Sequence, residues 1–113
     1  MKIPNIGLAE IAKEKITLYL LNPSHPAGGS KASFFLRFGF SAARWQELAG
    51  ALRQQALGNE VVETDETRYG VRYVVDGVII APNGAALNVR SVWYIHPRGS
   101  APRFVTAHPM PRL

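Results

Sequence analysis

Ala12, Ile16, Tyr19 and Leu20 recur at i, i+4, i+7 and i+8, the apolar stripe of an amphipathic helix. The spacing predicts a helix over about 8–21. Asn22-Pro23 ends it, because the residue before a proline is pushed out of helical geometry. Residues 22–30 (NPSHPAGGS) then read as a loop. Ser30 is placed to cap a short helix over 31–38 that buries Phe34, Phe35 and Phe38, with Gly39 as its stop. Ser41 is placed to cap a third helix, in which Trp45, Leu48, Ala49 and Leu52 follow i, i+3, i+4 and i+7. Arg44 stands where a capping box would need an acid. Gly58-Asn59 ends the helix.

From Val61 the period changes to that of strands. Segments 61–67, 71–75, a looser 78–81, 86–96 and 103–108 are bounded by Arg68-Tyr69-Gly70, Pro82-Asn83-Gly84 and Arg98-Gly99-Ser100. Connections this short join antiparallel neighbours. In 86–96, Leu87, Val89, Ser91, Trp93 and Ile95 fall on one face. Asn88, Arg90, Val92, Tyr94 and His96 fall on the other. Phe104, Thr106 and His108 are expected to share a face of the last strand. The fold class expected is α+β: helices over about 8–57 packed on one face of a meandering, four- to five-stranded antiparallel sheet over about 60–109. Residues 1–113 are expected to form a single domain.

Composition narrows the class. Apolar residues make up 47% and charged residues 19%, a globular balance. No apolar run is long enough to cross a membrane as a helix, and the mixed N-terminus is unlike a signal peptide. With no cysteine, thiol catalysis, disulfides and thiolate metal sites drop out, and a cytoplasmic location is expected. The net charge of +5 is segregated: no acid follows Asp76, whereas Arg90, Arg98, Arg103 and Arg112 do, and Glu60, Glu63, Asp65 and Glu66 cluster. A one-sided positive field suits a polyanionic partner.

Two groups of residues carry candidate chemistry. The first is His25 with Gly28, Gly29, Ser30 and Lys31, where glycines let backbone amides approach a phosphate at a helix start. Lys31 in that first turn opposes the helix dipole by about 0.3–1 kcal/mol, a cost that a bound anion would reverse. The second is Arg90, Tyr94 and His96 on one strand with Thr106 and His108 on the next, neighbours if the strands pair across the turn at Gly99. A register slip of one residue would turn the set over. The three histidines stand in unrelated segments, so no metal site is expected. No serine-nucleophile elbow or dinucleotide-binding glycine pattern occurs, and no cofactor is expected.

These groups suit metal-free cleavage of RNA. The reaction needs a base for the 2′-hydroxyl, an acid for the departing 5′-oxygen and cations for the charge gained at phosphorus. Histidine serves as acid or base near neutral pH. Arg90 and Lys31 are suited to clamp phosphate, and Tyr94 to stack on a base.

The run Tyr19-Leu20-Leu21-Asn22-Pro23-Ser24-His25-Pro26, with Gly28, Lys31-Ala32, Tyr69-Gly70, Pro82-Asn83-Gly84, Val92-Trp93 and Thr106-Ala107-His108-Pro109, resembles a family of small uncharacterised bacterial toxin-like domains. That family in turn resembles the barnase–EndoU–colicin–RelE group of ribonucleases. The resemblance covers about residues 12–109 through short motifs. It implies helices followed by a four-stranded antiparallel sheet, and RNA cleavage opposed by a small protein antitoxin. It matches His25 and Lys31 to an early active-site element, and Thr106 with Pro109 to a late one, with His108 where an aromatic is more usual.

Two readings follow. In the first, the protein is a metal-independent endoribonuclease, the toxin of a toxin–antitoxin pair, with His25, Lys31, Thr106 and His108 catalytic. Gly28, Gly29, Ser30, Arg90, Tyr94 and His96 then bind substrate, and the partners are RNA and an antitoxin, with neither DNA nor membrane. In the second, the same charge segregation serves a non-catalytic module that binds RNA or a protein partner.

Overall fold

The computed structural model describes residues 1–27, 29–99 and 101–110. Short helices lead into a four-stranded antiparallel sheet of order β1-β2-β3-β4, the α+β arrangement expected. The elements are a 3-10 turn (Ile6–Leu8), a π-helix (Lys15–Leu20), α1 (Gly29–Arg37), a 3-10 turn (Ala42–Arg44) and α2 (Trp45–Gly58). The strands are β1 (Val61–Thr67), β2 (Gly70–Ile80), β3 (Ala86–Ile95) and β4 (Arg103–Pro109). Among the described residues no helix is long and apolar enough to cross a membrane.

α2 forms where its signals stand. The Ser41 hydroxyl accepts from the Arg44 N–H at 3.3 Å, capping the 3-10 turn that leads into α2 rather than α2 itself, and Leu48, Ala49, Leu52 and Ala56 bury one stripe against the sheet. α1 departs in part from its expectation. Ser30 lies inside the helix rather than capping it. Of the three expected phenylalanines only Phe35 is fully buried, while Phe34 and Phe38 are half-buried. A single-faced helix of this length covers the core through Ala32 and Phe35, and Phe40 beyond it fills the remaining space. Gly39, at φ 101°, ends α1 in a backbone region that favours glycine.

The first helix departs most from its prediction. Instead of running over 8–21 as an α-helix, it is a π-helix confined to Lys15–Leu20, whose Ile16 carbonyl accepts from the Leu21 N–H at 2.8 Å. Ile16 and Leu20 are buried, but Ala12 is exposed. The residues before it are drawn onto the sheet edge: the Glu10 N–H donates to the Pro102 carbonyl at 2.8 Å, and the Phe104 N–H donates to the Glu10 carbonyl at 2.9 Å. These bonds cover part of the β4 edge and lay the π-helix beside that strand.

The sheet has four strands, within the four to five expected. β2 runs unbroken through Asp76-Gly77, joining the segments 71–75 and 78–81 that were expected as separate strands. Two tertiary contacts hold it extended: Asp76 pairs with Arg90 across the sheet, and the bare α-carbon of Gly77 admits the Asn59 amide, which a β-carbon would strike. The core face of β3 is the one expected, with Leu87, Val89, Ser91 and Trp93 buried. Ser91 is the hub of a buried polar network. Its hydroxyl donates to Gln55 Oε1 at 2.6 Å and accepts from Trp93 Nε1 at 2.8 Å. Gln55 Nε2 donates to the Val75 and Val89 carbonyls at 3.0 and 2.9 Å. Each of these buried donors is thus satisfied, and α2 is tied to the middle of the sheet.

In β4, Trp93 faces Phe104 and Val92 faces Thr106, so Val105 is an extra, bulged residue. The bulge separates residues expected to share a face. Phe104 and Ala107 turn to the core, with the Phe104 ring edge-on to Trp93 at 5.3 Å. Thr106 and His108 fall on the other side.

Candidate functional site

The π-helix, the loop after it, α1 and β4 converge on one tyrosine. Tyr19 follows buried Ile16 and directly precedes buried Leu20, so its ring is held half-inside and its hydroxyl lies at the mouth of a groove. Lys31 Nζ donates to Tyr19 Oη at 2.6 Å and to Thr106 Oγ1 at 3.2 Å, and the two hydroxyls are 2.9 Å apart. The three groups form a closed triangle of hydrogen bonds among residues from three separate elements.

His25 completes the cluster. Its ring stands edge-on to that of Tyr19, centroids 5.0 Å apart. Its place is set by the loop: the His25 N–H donates to the Asn22 carbonyl at 3.1 Å, and the His25 carbonyl accepts from the Gly29 N–H at 2.9 Å. Nδ1 accepts from the Ala27 N–H at 3.0 Å, so a neutral ring carries its proton on Nε2. Gly29 has a steric role here: a β-carbon would come within 2.6 Å of the Pro23 carbonyl oxygen.

The groove beside the cluster holds about 710 Å³ and is lined by Lys15, Leu18, Tyr19, His25, Val105 and Thr106, among others. It adjoins a depression walled by Glu10, Lys15 and Arg103. Burial raises the Tyr19 pKa, but hydrogen bonds from Lys31 and Thr106 and the charges of Lys31 and Lys15 outweigh it, so the phenol ionises below its ordinary range.

The outer face of the sheet carries a second group. Asp76, Arg90 and His108 lie side by side on β2, β3 and β4. Arg90 Nε and Nη2 bind the Asp76 carboxylate at 2.8 and 3.0 Å, a bidentate fork. That hydrogen bonding, against some desolvation and aided by the charges of Asp76 and Glu63, raises the Arg90 pKa. Tyr94 meets the His96 ring edge-on at 5.1 Å, and its hydroxyl lies 3.4 Å from Thr67 Oγ1.

The predicted residues therefore divide. His25, Lys31 and Thr106 meet around Tyr19, with Gly29 shaping the loop and Ser30 exposed in the first turn of α1. Gly28 lies outside the described residues. Arg90, Tyr94, His96 and His108 belong to the outer face, and the two groups adjoin along β4, where Thr106 and His108 are two residues apart on the same side. Sequence reasoning misses Tyr19 as a site residue: it enters only in an apolar stripe and in the motif run that carries the resemblance. A signal exists, since a buried tyrosine hydroxyl needs a polar partner.

The family described as "Domain of unknown function (DUF6883)" matches residues 2–111. In three dimensions the chain is similar to a solved structure described as "Contact-dependent growth inhibition toxin - immunity protein complex from Klebsiella pneumoniae 342". The TM-score is 0.75 and the identity 19%, over 96% of this chain and 98% of that one. At this identity the likeness establishes a shared fold. No curated protein matches the chain significantly in sequence.

Proposed function

The chain belongs to the DUF6883 family, and we propose that it is a metal-independent endoribonuclease acting as a toxin in the cytoplasm, held in check by a small protein partner. The observation that carries this reading is the meeting of Lys31, Thr106 and His25 on a basic groove, brought together from an early loop and a late strand. The structural neighbour, a growth-inhibition toxin with its immunity protein, agrees with a toxin that has a protein partner.

Cleavage proceeds by transesterification. A base takes the 2′-hydroxyl proton, the 2′-oxygen bonds to phosphorus, the bond from phosphorus to the 5′-oxygen breaks, and an acid protonates that oxygen. The products are a 2′,3′-cyclic phosphate and a free 5′-hydroxyl. Lys31 stabilises the charge gained by the phosphoryl oxygens, and Thr106 positions it by a hydrogen bond. His25 and His108 are the acid/base candidates, and Arg90, held in its fork by Asp76, is a further phosphate ligand past the bulge of β4.

The test is incubation of the protein with total cellular RNA in EDTA beside Lys31→Ala, both checked for folding by circular dichroism. Cleavage by the wild type alone supports the reading. Intact RNA in both lanes, on free and ribosome-bound RNA alike, rejects it.

A second reading, a binding module without catalysis, draws on the exposed acidic strand β1, whose Glu63, Asp65 and Glu66 face solvent apart from the basic groove. Retention of RNA in a gel shift without loss of intact RNA would favour it. Affinity for a protein alone would remove RNA from the account.

A further inference from the structure

We infer that Tyr19 is the general base of this site, its phenolate oxygen receiving the proton of the attacking 2′-hydroxyl; the inference rests on the ribonuclease reading above. Lys31 is a donor without acceptor capacity, and it gives hydrogen bonds to both Tyr19 Oη and Thr106 Oγ1. The Thr106 oxygen thereby accepts from Lys31, and its own hydrogen is available to Tyr19 Oη at 2.9 Å. With Thr106 donating, the phenol oxygen accepts twice within the protein; with Thr106 accepting, the phenol gives its own proton to that hydroxyl. The phenolate, at the mouth of the groove that Tyr19 lines, accepts from both Lys31 and Thr106 once that proton leaves.

The surroundings favour its leaving. The charged or titratable groups around the phenol from the packed elements are basic: Lys31 from α1, Lys15 with its ammonium 5.8 Å from the ring centroid, and His25 from the loop. Thr106 from β4 adds a neutral donor. Glu14, also on the groove wall, is an exposed residue. Together the donors and charges hold the phenol below its ordinary ionisation range despite burial, toward the working range of a general base.

In the chemical step, the Tyr19 phenolate takes the 2′-hydroxyl proton, the 2′-oxygen forms a bond to phosphorus, and the phosphorus–5′-oxygen bond breaks. The His25 ring, which shares the groove, gives a proton to the leaving oxygen. Exchange with water returns both groups to their starting states.

Two measurements test this, and they fail separately. The first follows tyrosinate absorbance at 295 nm against pH in the wild type, Tyr19→Phe and Lys31→Ala. One of the four tyrosines should ionise ahead of the rest. That step should vanish in Tyr19→Phe and move up in Lys31→Ala. If all four ionise together the inference is overturned, whatever the protein does to RNA. The second follows cleavage by the wild type and Tyr19→Phe. The variant keeps the ring and its contact with His25, so it should fold and bind RNA with little change in KM. Its kcat should fall about 10²–10⁴-fold, and the rise of rate with pH that tracks the tyrosinate step should be lost. Wild-type rate and pH profile in the variant overturn the inference while leaving the nuclease intact. An early tyrosinate step in a protein that cleaves no RNA overturns both.

Discussion

Lys31 Nζ lies 2.6 Å from Tyr19 Oη, a contact between the first turn of α1 and the end of the π-helix. It changes the meaning of both residues. A lysine at a helix start works against the dipole when it faces water, whereas here it donates to a phenol whose ionised form would complete an ion pair. The tyrosine, in turn, keeps its ring against the core and its oxygen in a basic groove.

The sign of the pH dependence follows from this contact. Tyr19 acts as base when ionised, so cleavage should rise as pH increases through its pKa, which lies below the ordinary value of about 10. Removing the ammonium in Lys31→Ala takes away both a hydrogen bond and a positive charge. The rising limb should then shift to higher pH, and kcat should drop by at least about 10²-fold with loss of the phosphate clamp. An unmoved limb in pH–rate profiles would show that another group controls it.

Gly29→Ala tests the loop. The added β-carbon would press on the backbone oxygen of Pro23 at 2.6 Å, and backbone cannot yield as a flexible side chain can. The loop must then shift, at a cost of about 1–3 kcal/mol for overpacking, and His25 should move relative to Lys31. Urea unfolding should show a lower midpoint, and cleavage should weaken even where the protein remains folded.

Ser91→Ala tests the support under the sheet. It removes the partner of both Gln55 Oε1 and Trp93 Nε1 in a fully buried place. Leaving buried polar groups unpaired costs about 1–3 kcal/mol. A stability unchanged in urea would mean that the network rearranges without loss.

Asp76→Asn bears on Arg90. The carboxylate now neutralises the guanidinium through two hydrogen bonds, and the change adds one unit of positive charge to the outer face. RNA should bind more tightly and with a steeper dependence on salt. Arg90→Ala should weaken binding. Gel shifts over a salt series check both, and affinity unmoved in either variant would take the outer face out of the RNA-binding surface.

Local sequence determined a good deal of this protein. The cap at Ser41, the stop at Gly39, the apolar stripe of α2 and the strict alternation along β3 all act through near neighbours, so helices followed by an antiparallel sheet were legible, as was the core face of β3. His25, Lys31 and Thr106 were legible as chemistry-bearing residues. Their meeting was not. Thr106 lies 75 residues from Lys31 and 87 from Tyr19, and contacts at such separations depend on how elements pack rather than on periodicity. Tertiary structure alone decided that the first helix is a π-helix laid along the edge of β4, and that β2 stays extended because Arg90 meets Asp76 and Asn59 packs against Gly77. It also decided that a bulge at Val105 turns Phe104 inward while Thr106 stays beside the groove. In each case a long-range contact outweighs a weak local preference of a few tenths to about 1 kcal/mol, which is why the elements could be read from the sequence and the site only from their packing.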